Sequence, residues 1–171
     1  MVRFLHTSKK GQNYKMFKLA NLILFLNLAS GSANAQFFDE GYMVRDVRNN
    51  IIWLKCTVGQ KWNDDQKSCL GEIVKLNQSQ IDEATRQASE QLGGSWRLPT
   101  LQELESIVCH ECEPPKVRNK YFPNLSREAY WTGTRNFFNS KMYWSVNFMT
   151  GHRYSRFFAY QQLPVLLVKD R

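Results

Sequence analysis

Cys56, Cys69, Cys109 and Cys112 are the residues with the most reactive chemistry in this chain. Cys109-His110-Glu111-Cys112 has the C-x-x-C spacing that a thiol-active factor or a metal site would use. A reactive thiol gains its low pKa at a helix N-terminus, whereas this motif follows the apolar stripe of a helix and falls at its end. There the helix dipole disfavours a thiolate. As metal ligands, Cys109, His110 and Cys112 lack a second cluster at zinc-site spacing. Structural cross-linking is the simpler reading. Four cysteines allow three connectivities; the pairing adopted is Cys56–Cys69 with Cys109–Cys112, against cross-pairing, free thiols, a redox pair or metal ligation. Cys56 and Cys69 bracket a polar loop containing Gly59, Asn63, Asp64 and Asp65, and closing it removes about 3 kcal/mol of unfolded-state entropy.

Little else in the pattern points to catalysis. Beyond residue 35 the histidines are His110 and His152, and neither lies in H-E-x-x-H. No G-x-S-x-G or glycine-rich phosphate loop occurs. Asp64-Asp65 and Glu103 with Glu105 fall in a loop and on a helix surface, where nothing drives two carboxyl pKa values apart. No catalytic residue, metal or cofactor is expected. The late hairpin and the loop before it instead offer Arg135, Asn136, Asn139, Lys141, His152, Arg153 and Arg156. Such polar and basic groups among aromatics can form charge-assisted hydrogen bonds to sulfate or carboxylate. Lys116, Arg118 and Lys120 could grip an anion too, but ordinary exposed loop charges account for them.

The compartment follows from the N-terminus. Residues 1–35 hold five of the basic residues and no acid, so the formal charge of +8 falls to +3 without them. That balance argues against a nucleic-acid partner, which calls for a strong basic patch. Lys15 and Lys18 precede the apolar run 19–28, which is too short to span a bilayer, and Ala33-Asn34-Ala35 is a small-x-small cleavage site. Residues 1–35 therefore read as a signal peptide, with Met16 as a possible true start. Residues 36–171 read as one domain without a membrane span, exported to the periplasm or surface, where disulfides persist. Gln36 rather than a cysteine follows the site, which does not support a lipid anchor.

The elements that must position these groups centre on Trp96-Arg97-Leu98-Pro99-Thr100. Thr100 with Glu103 makes a capping box, and Leu101, Leu104, Ile107 and Val108 recur at helical spacing. Gly93-Gly94 closes a preceding amphipathic helix that begins near Ser79 and carries Ile81, Ala84, Ala88 and Leu92 on one face. Upstream, Phe37 to Val47 reads as one extended stretch, turned by Arg48-Asn49-Asn50 into the strand Ile51–Leu54. Residues 113–124 read as irregular. Downstream come strands at 130–132 and 142–149, with Trp144, Val146 and Phe148 facing inward. A turn at Thr150-Gly151-His152 and a return strand follow. Val165-Leu166-Leu167-Val168, apolar on both faces, reads as a central strand. The fold class is α+β.

Trp53-Leu54-Lys55-Cys56, Gly59-Gln60-Lys61-Trp62, the Trp96–Thr100 segment with Glu103-Leu104, Phe122-Pro123-Asn124, Tyr130-Trp131-Thr132 and Trp144-x-Val146-x-Phe148-x-x-Gly151 occur in that order. In this the chain resembles the C-terminal domain family of the Legionella collagen-like adhesin, over most of residues 42–168. The resemblance implies a C-type-lectin-like single domain, with two helices packed on short antiparallel sheets and the N- and C-terminal strands adjacent. It also implies placement at the bacterial envelope and, in the namesake adhesin, binding to sulfated polysaccharide. Family members commonly end in a Val-Arg-Cys-like strand; here Val165–Val168 has no cysteine, and no collagen-like stalk is present. Trp62-Asn63-Asp64 spells a calcium-lectin motif, but in the early loop and without its Glu-Pro-Asn partner.

The function expected is an exported non-catalytic binding or assembly module, adhesion- or pilus-associated. Its partner would be an anionic polysaccharide or an envelope protein such as a pilus component. The alternatives are a periplasmic thiol-active or metal-binding factor using Cys109 and Cys112, and a structural filament-stabilising protein.

Overall fold

The computed structural model describes residues 36–171; the expected signal peptide, residues 1–35 with the alternative start at Met16, lies outside them. Turn chemistry builds the opening sheet. β1 (Phe37–Glu40) and β2 (Met43–Asp46) are joined at Gly41, whose φ of 72° suits a residue without a Cβ and whose N–H bonds the Asp39 carboxylate at 3.1 Å. The single extended stretch expected over Phe37–Val47 is thus two strands. Asp46 is wholly buried and accepts from the Arg48 and Asn49 N–H groups, which with Asn50 at φ 55° forms the expected turn into β3 (Ile51–Leu54). The Asn49 side-chain amide donates both to Asp46 and to the Ser106 hydroxyl, tying this turn to the second helix.

Between Cys56 and Cys69 the chain is not a plain loop: β4 (Lys61–Asn63) and β5 (Ser68–Leu70) pair as a small hairpin. Helix α1 spans Gln78–Leu92 with Asn77 as N-cap and Gln80 completing a capping box. It starts one residue before the expected Ser79, so Asp82 and Glu83 lie beyond its first turn. Leu92, expected on the apolar face, is 39% exposed. Helix α2 spans Leu101–Ser106 with Thr100 as N-cap and Glu103 reciprocating, as the sequence predicts, but it ends earlier than the stripe to Val108 implies: Ile107 is its C-cap and Val108 bridges Val117. Three longer strands follow as one antiparallel sheet in the order β6 (Ala129–Arg135), β7 (Met142–Asn147), β8 (His152–Phe158). β9 (Val168–Asp170) returns to β3, giving the opening sheet the order β1-β2-β3-β9. The first and last strands therefore share one sheet but hold its opposite edges: β9 pairs with β3, and the expected adjacency of the N- and C-terminal strands is not met.

Two apolar clusters fill the interior. One gathers Val44, Ile51, Trp53, Phe122, Tyr130, Val146 and Phe148 against the α2 face of Leu101, Leu104 and Ile107. The other gathers Trp96, Trp131, Tyr143 and Leu76 against Ile81 of α1. Residues 165–168 divide their side chains alternately between them, Val165 and Leu167 to the second and Leu166 and Val168 to the first. All four are almost completely buried. The expectation of an apolar run covered on both faces is met, but only Val168 belongs to a strand. The run spends its hydrogen bonds on several partners instead: the Val165 carbonyl accepts from Val58, the Leu167 carbonyl from Leu54, and Val168 exchanges two bonds with Arg97. Formally β9 is an edge of its ladder, and the Arg97 segment lies along its other side.

Candidate functional site

Gly151 decides the local shape at the turn between β7 and β8. Its N–H bonds the Asn147 carbonyl at 2.7 Å, and the Asn147 side chain accepts from Met149 N–H at 2.8 Å. Gly151 has φ 74°, and a Cβ there would stand 3.1 Å from His110 Nδ1 and 3.2 Å from Val108 Cγ1. Its bareness lets the segment after α2 close on the turn. The result is a notch of about 210 Å³ lined by Glu105, Val108, His110, Gly151, His152 and Arg153. The Arg153 guanidinium lies over the Trp144 ring at 5.6 Å and reaches the Glu105 carboxylate only at 3.4 and 3.5 Å. A guanidinium carries five N–H donors, so this long contact leaves most of them for a ligand. With its side chain 56% exposed, Arg153 is accessible. Lys116 Nζ donates to the His110 carbonyl at 3.1 Å, which helps fix the segment that carries His110.

The antiparallel order of the sheet divides the residues expected to bind ligand. His152 opposes Asn147 and Arg153 opposes Val146, at the notch end. Arg135 opposes Tyr143, and Met142, next to Lys141, opposes Phe158, at the far end. Arg135 packs over the Tyr143 ring at 5.3 Å and lines a separate cleft with Asp82 and Trp96. Asn136 and Asn139 spend their side chains inside the β6–β7 loop, on the N–H groups of Phe138, Asn139 and Lys141 and on the Ser155 carbonyl. Arg156 lies over Tyr154 at 4.9 Å. The seven residues do not form one site; His152 and Arg153 share the notch, and the other five do not reach it. Of the loop cations, Arg118 lies over Phe37 and Lys120 over Tyr121.

Sequence reasoning missed Glu105 as the partner of Arg153 and His110 as a wall of the same notch. It missed as well that residues 129–169 contain five cations and no carboxylate, a signal available from a simple charge census. A second hollow, of about 350 Å³, lies beside Tyr42, Leu54, Val58, Trp62 and Leu92. Gln60 and Lys61 also line it, but its walls are mainly apolar, which suits an apolar group better than an anion.

Cys56 is bonded to Cys69 and Cys109 to Cys112, with Cα separations of 5.5 and 5.3 Å. Among the described residues no cysteine is free, and no group of three or more His, Cys, Asp and Glu side chains is placed to hold a metal. In Trp62-Asn63-Asp64, the Asn63 side chain accepts from Gln66 N–H at 2.7 Å. Asp64 is bound by Lys67 and by the Trp62 indole. The Lys67 hydrogen bond, with that from Trp62, holds the Asp64 carboxyl below its ordinary value. Among the described residues no helix is long and apolar enough to cross a membrane. The two disulfides are compatible with a periplasmic or extracellular location.

No curated protein and no solved structure matches the chain. A family model described as the Lcl C-terminal domain matches residues 42–169. That span runs from just before β2 into β9 and takes in both disulfides, the capped α2 helix and the Gly151 turn. The chain belongs to the Lcl C-terminal domain family, as the resemblance of its Trp96–Thr100 segment implied.

Proposed function

We propose that this chain is an exported, non-catalytic binding module of the bacterial envelope, adhesion- or pilus-associated, that recognises an anionic glycan through the notch around Arg153. The observation that carries the reading is the Arg153 guanidinium itself, half exposed, stacked on Trp144 and loosely held by Glu105. Sulfate or carboxylate would replace the long Glu105 contact with shorter charge-assisted bonds, and the imidazoles of His110 and His152 add ring donors. The acid-free stretch from 129 to 169 removes repulsion across the sheet. Family membership supports an adhesin-associated role. A C-type-lectin-like fold belongs to the same reading, supported by the family and by the return of β9 to the opening sheet. Cys109 and Cys112 follow the C-terminus of α2 rather than opening a helix whose N-terminus would lower a thiol pKa, which favours a structural role for their bond over thiol chemistry.

The test is titration calorimetry with a sulfated oligosaccharide. Charge-assisted hydrogen bonds contribute about 1.5–3 kcal/mol, so Arg153→Ala should weaken binding about tenfold or more, while Arg135→Ala at the far end leaves it unchanged. Binding that survives Arg153→Ala and disappears in Arg135→Ala would move the site to the other end of the sheet.

A further inference from the structure

Phe137 and Phe138 are 92% and 94% exposed, although the loop that carries them is firmly built. Asn136 donates to the Ser155 carbonyl at 2.9 Å and accepts from Phe138 N–H at 2.8 Å. The Asn139 side chain accepts from Lys141 N–H at 3.1 Å, and its carbonyl accepts from Met142 N–H at 2.9 Å. With these polar groups turned inward, the loop offers two rings outward, edge to face at 5.4 Å. The strand register brings a second aromatic pair to the same end. Phe158, opposite Met142, stacks on Tyr160 at 5.6 Å, and Tyr160 is 74% exposed. Arg135 and Lys141 border the loop and Arg156 lies two residues before Phe158; the nearest carboxylates in sequence are Glu128 and Asp170.

We propose that this tip seats on the surface of an anionic phospholipid bilayer, its rings at the headgroup–acyl boundary and its cations among the phosphates. Exposed aromatics beside lysine and arginine, one of them an amphipathic tyrosine, have the composition of a membrane-interface belt. The charge of Arg135, Lys141 and Arg156 complements anionic headgroups, with Asp82 of α1 a carboxylate that shares a cleft with Arg135. A stable protein interface needs roughly 800 Å² of complementary surface on each partner. A convex tip of a few rings does not supply that, whereas a bilayer surface needs no matching shape. The tip lies at the opposite end of the β6–β8 sheet from the Arg153 notch, so the two proposals stand or fall separately.

The test uses the full chain, exported and collected as the cell processes it, with vesicles of phosphatidylcholine alone or with one quarter phosphatidylglycerol. Sedimentation should show binding to the anionic vesicles at least tenfold tighter than to the neutral ones. Phe137→Ser with Phe138→Ser should weaken it about tenfold or more, as expected for withdrawing exposed rings from an apolar phase. Lys141→Ala should weaken it about fivefold. Arg153→Ala, which removes the glycan contact, should leave vesicle binding unchanged. Equal binding of the double Phe variant and the parent overturns the proposal, as does equal binding to neutral and anionic vesicles. Absence of vesicle binding, with the two Phe residues needed to retain an envelope protein, overturns it in favour of a protein partner.

Discussion

Glu103→Gln separates two roles that one side chain plays in fastening α2 to the closing strand. The Glu103 carboxylate accepts from Thr100 N–H at 2.7 Å and from both terminal nitrogens of Arg97 at 2.8 and 2.9 Å. Arg97 also donates to Asp170 at 2.6 Å, while its backbone exchanges bonds with Val168. The Glu103 side chain is 13% exposed and that of Arg97 37%, between the exposed pairs that contribute under 1 kcal/mol and fully desolvated ones. Glutamine can still cap the helix but loses the charged pair, so we expect a loss of about 1–2 kcal/mol. Glu103→Ala also loses the cap, adding about 1 kcal/mol. Burial pushes the Glu103 carboxyl up, but the bonds from Arg97 and Thr100 outweigh it and set it below the ordinary 4.5. In the unfolded chain it titrates near the ordinary value, so the pair's stabilisation is fully present above that pH. It is lost as pH falls through the lower folded value. Urea unfolding followed by tryptophan fluorescence should show a constant gap between parent and Glu103→Gln from pH 7 to about 5, closing at lower pH. A gap that stays constant to pH 3, or no gap at pH 7, would refute the reasoning.

The two disulfides should differ in their worth. Replacing Cys56 and Cys69 by Ala opens a loop of sequence separation 13 and should cost about 3 kcal/mol, against about 2 kcal/mol for Cys109 and Cys112, whose loop is shorter. Mass spectrometry of the native protein in mild reductant should find both bonds intact; an easily opened Cys109–Cys112 bond would instead support the thiol-active alternative. Gly151→Ala forces a Cβ onto a backbone at φ 74° and against His110. It should lower stability by about 1–2 kcal/mol in urea unfolding. It should also move the His110 ring resonances, and an unshifted His110 spectrum would contradict the close approach.

Local rules carried the sequence reading furthest. Thr100 and Glu103 announce a helix start because a capping box is satisfied within four residues, whatever surrounds it. The Asn49-Asn50 turn is equally self-contained, since Asp46 and Asn50 meet its needs. The hairpin at Gly41 had a local signal too, Asp39 and Gly41 flanking Glu40, but the aromatic and β-branched residues on either side masked it. Val165–Leu167 deceived in the other direction. Burial on both faces predicts a central strand, but burial records where side chains go and not where hydrogen bonds go. These carbonyls serve Val58 and Leu54 rather than one partner strand.

The binding residues were harder to read for a physical reason. Residues 135–156 are close in sequence, yet an antiparallel sheet sends the two ends of a hairpin about 20 Å apart over six residues of strand. Arg135 and Lys141 belong to one end, His152 and Arg153 to the other. What completes the notch comes from α2 and the segment after it, where Glu105 sits 48 positions before Arg153. No local pattern announces that contact, which exists because Gly151 admits His110 and because Asn49 ties the opening turn to Ser106 of α2. The cations themselves were visible, and so was the lack of carboxylates among them. Which of them act together is a property of the register, and the register is set by the cores on which the sheet rests.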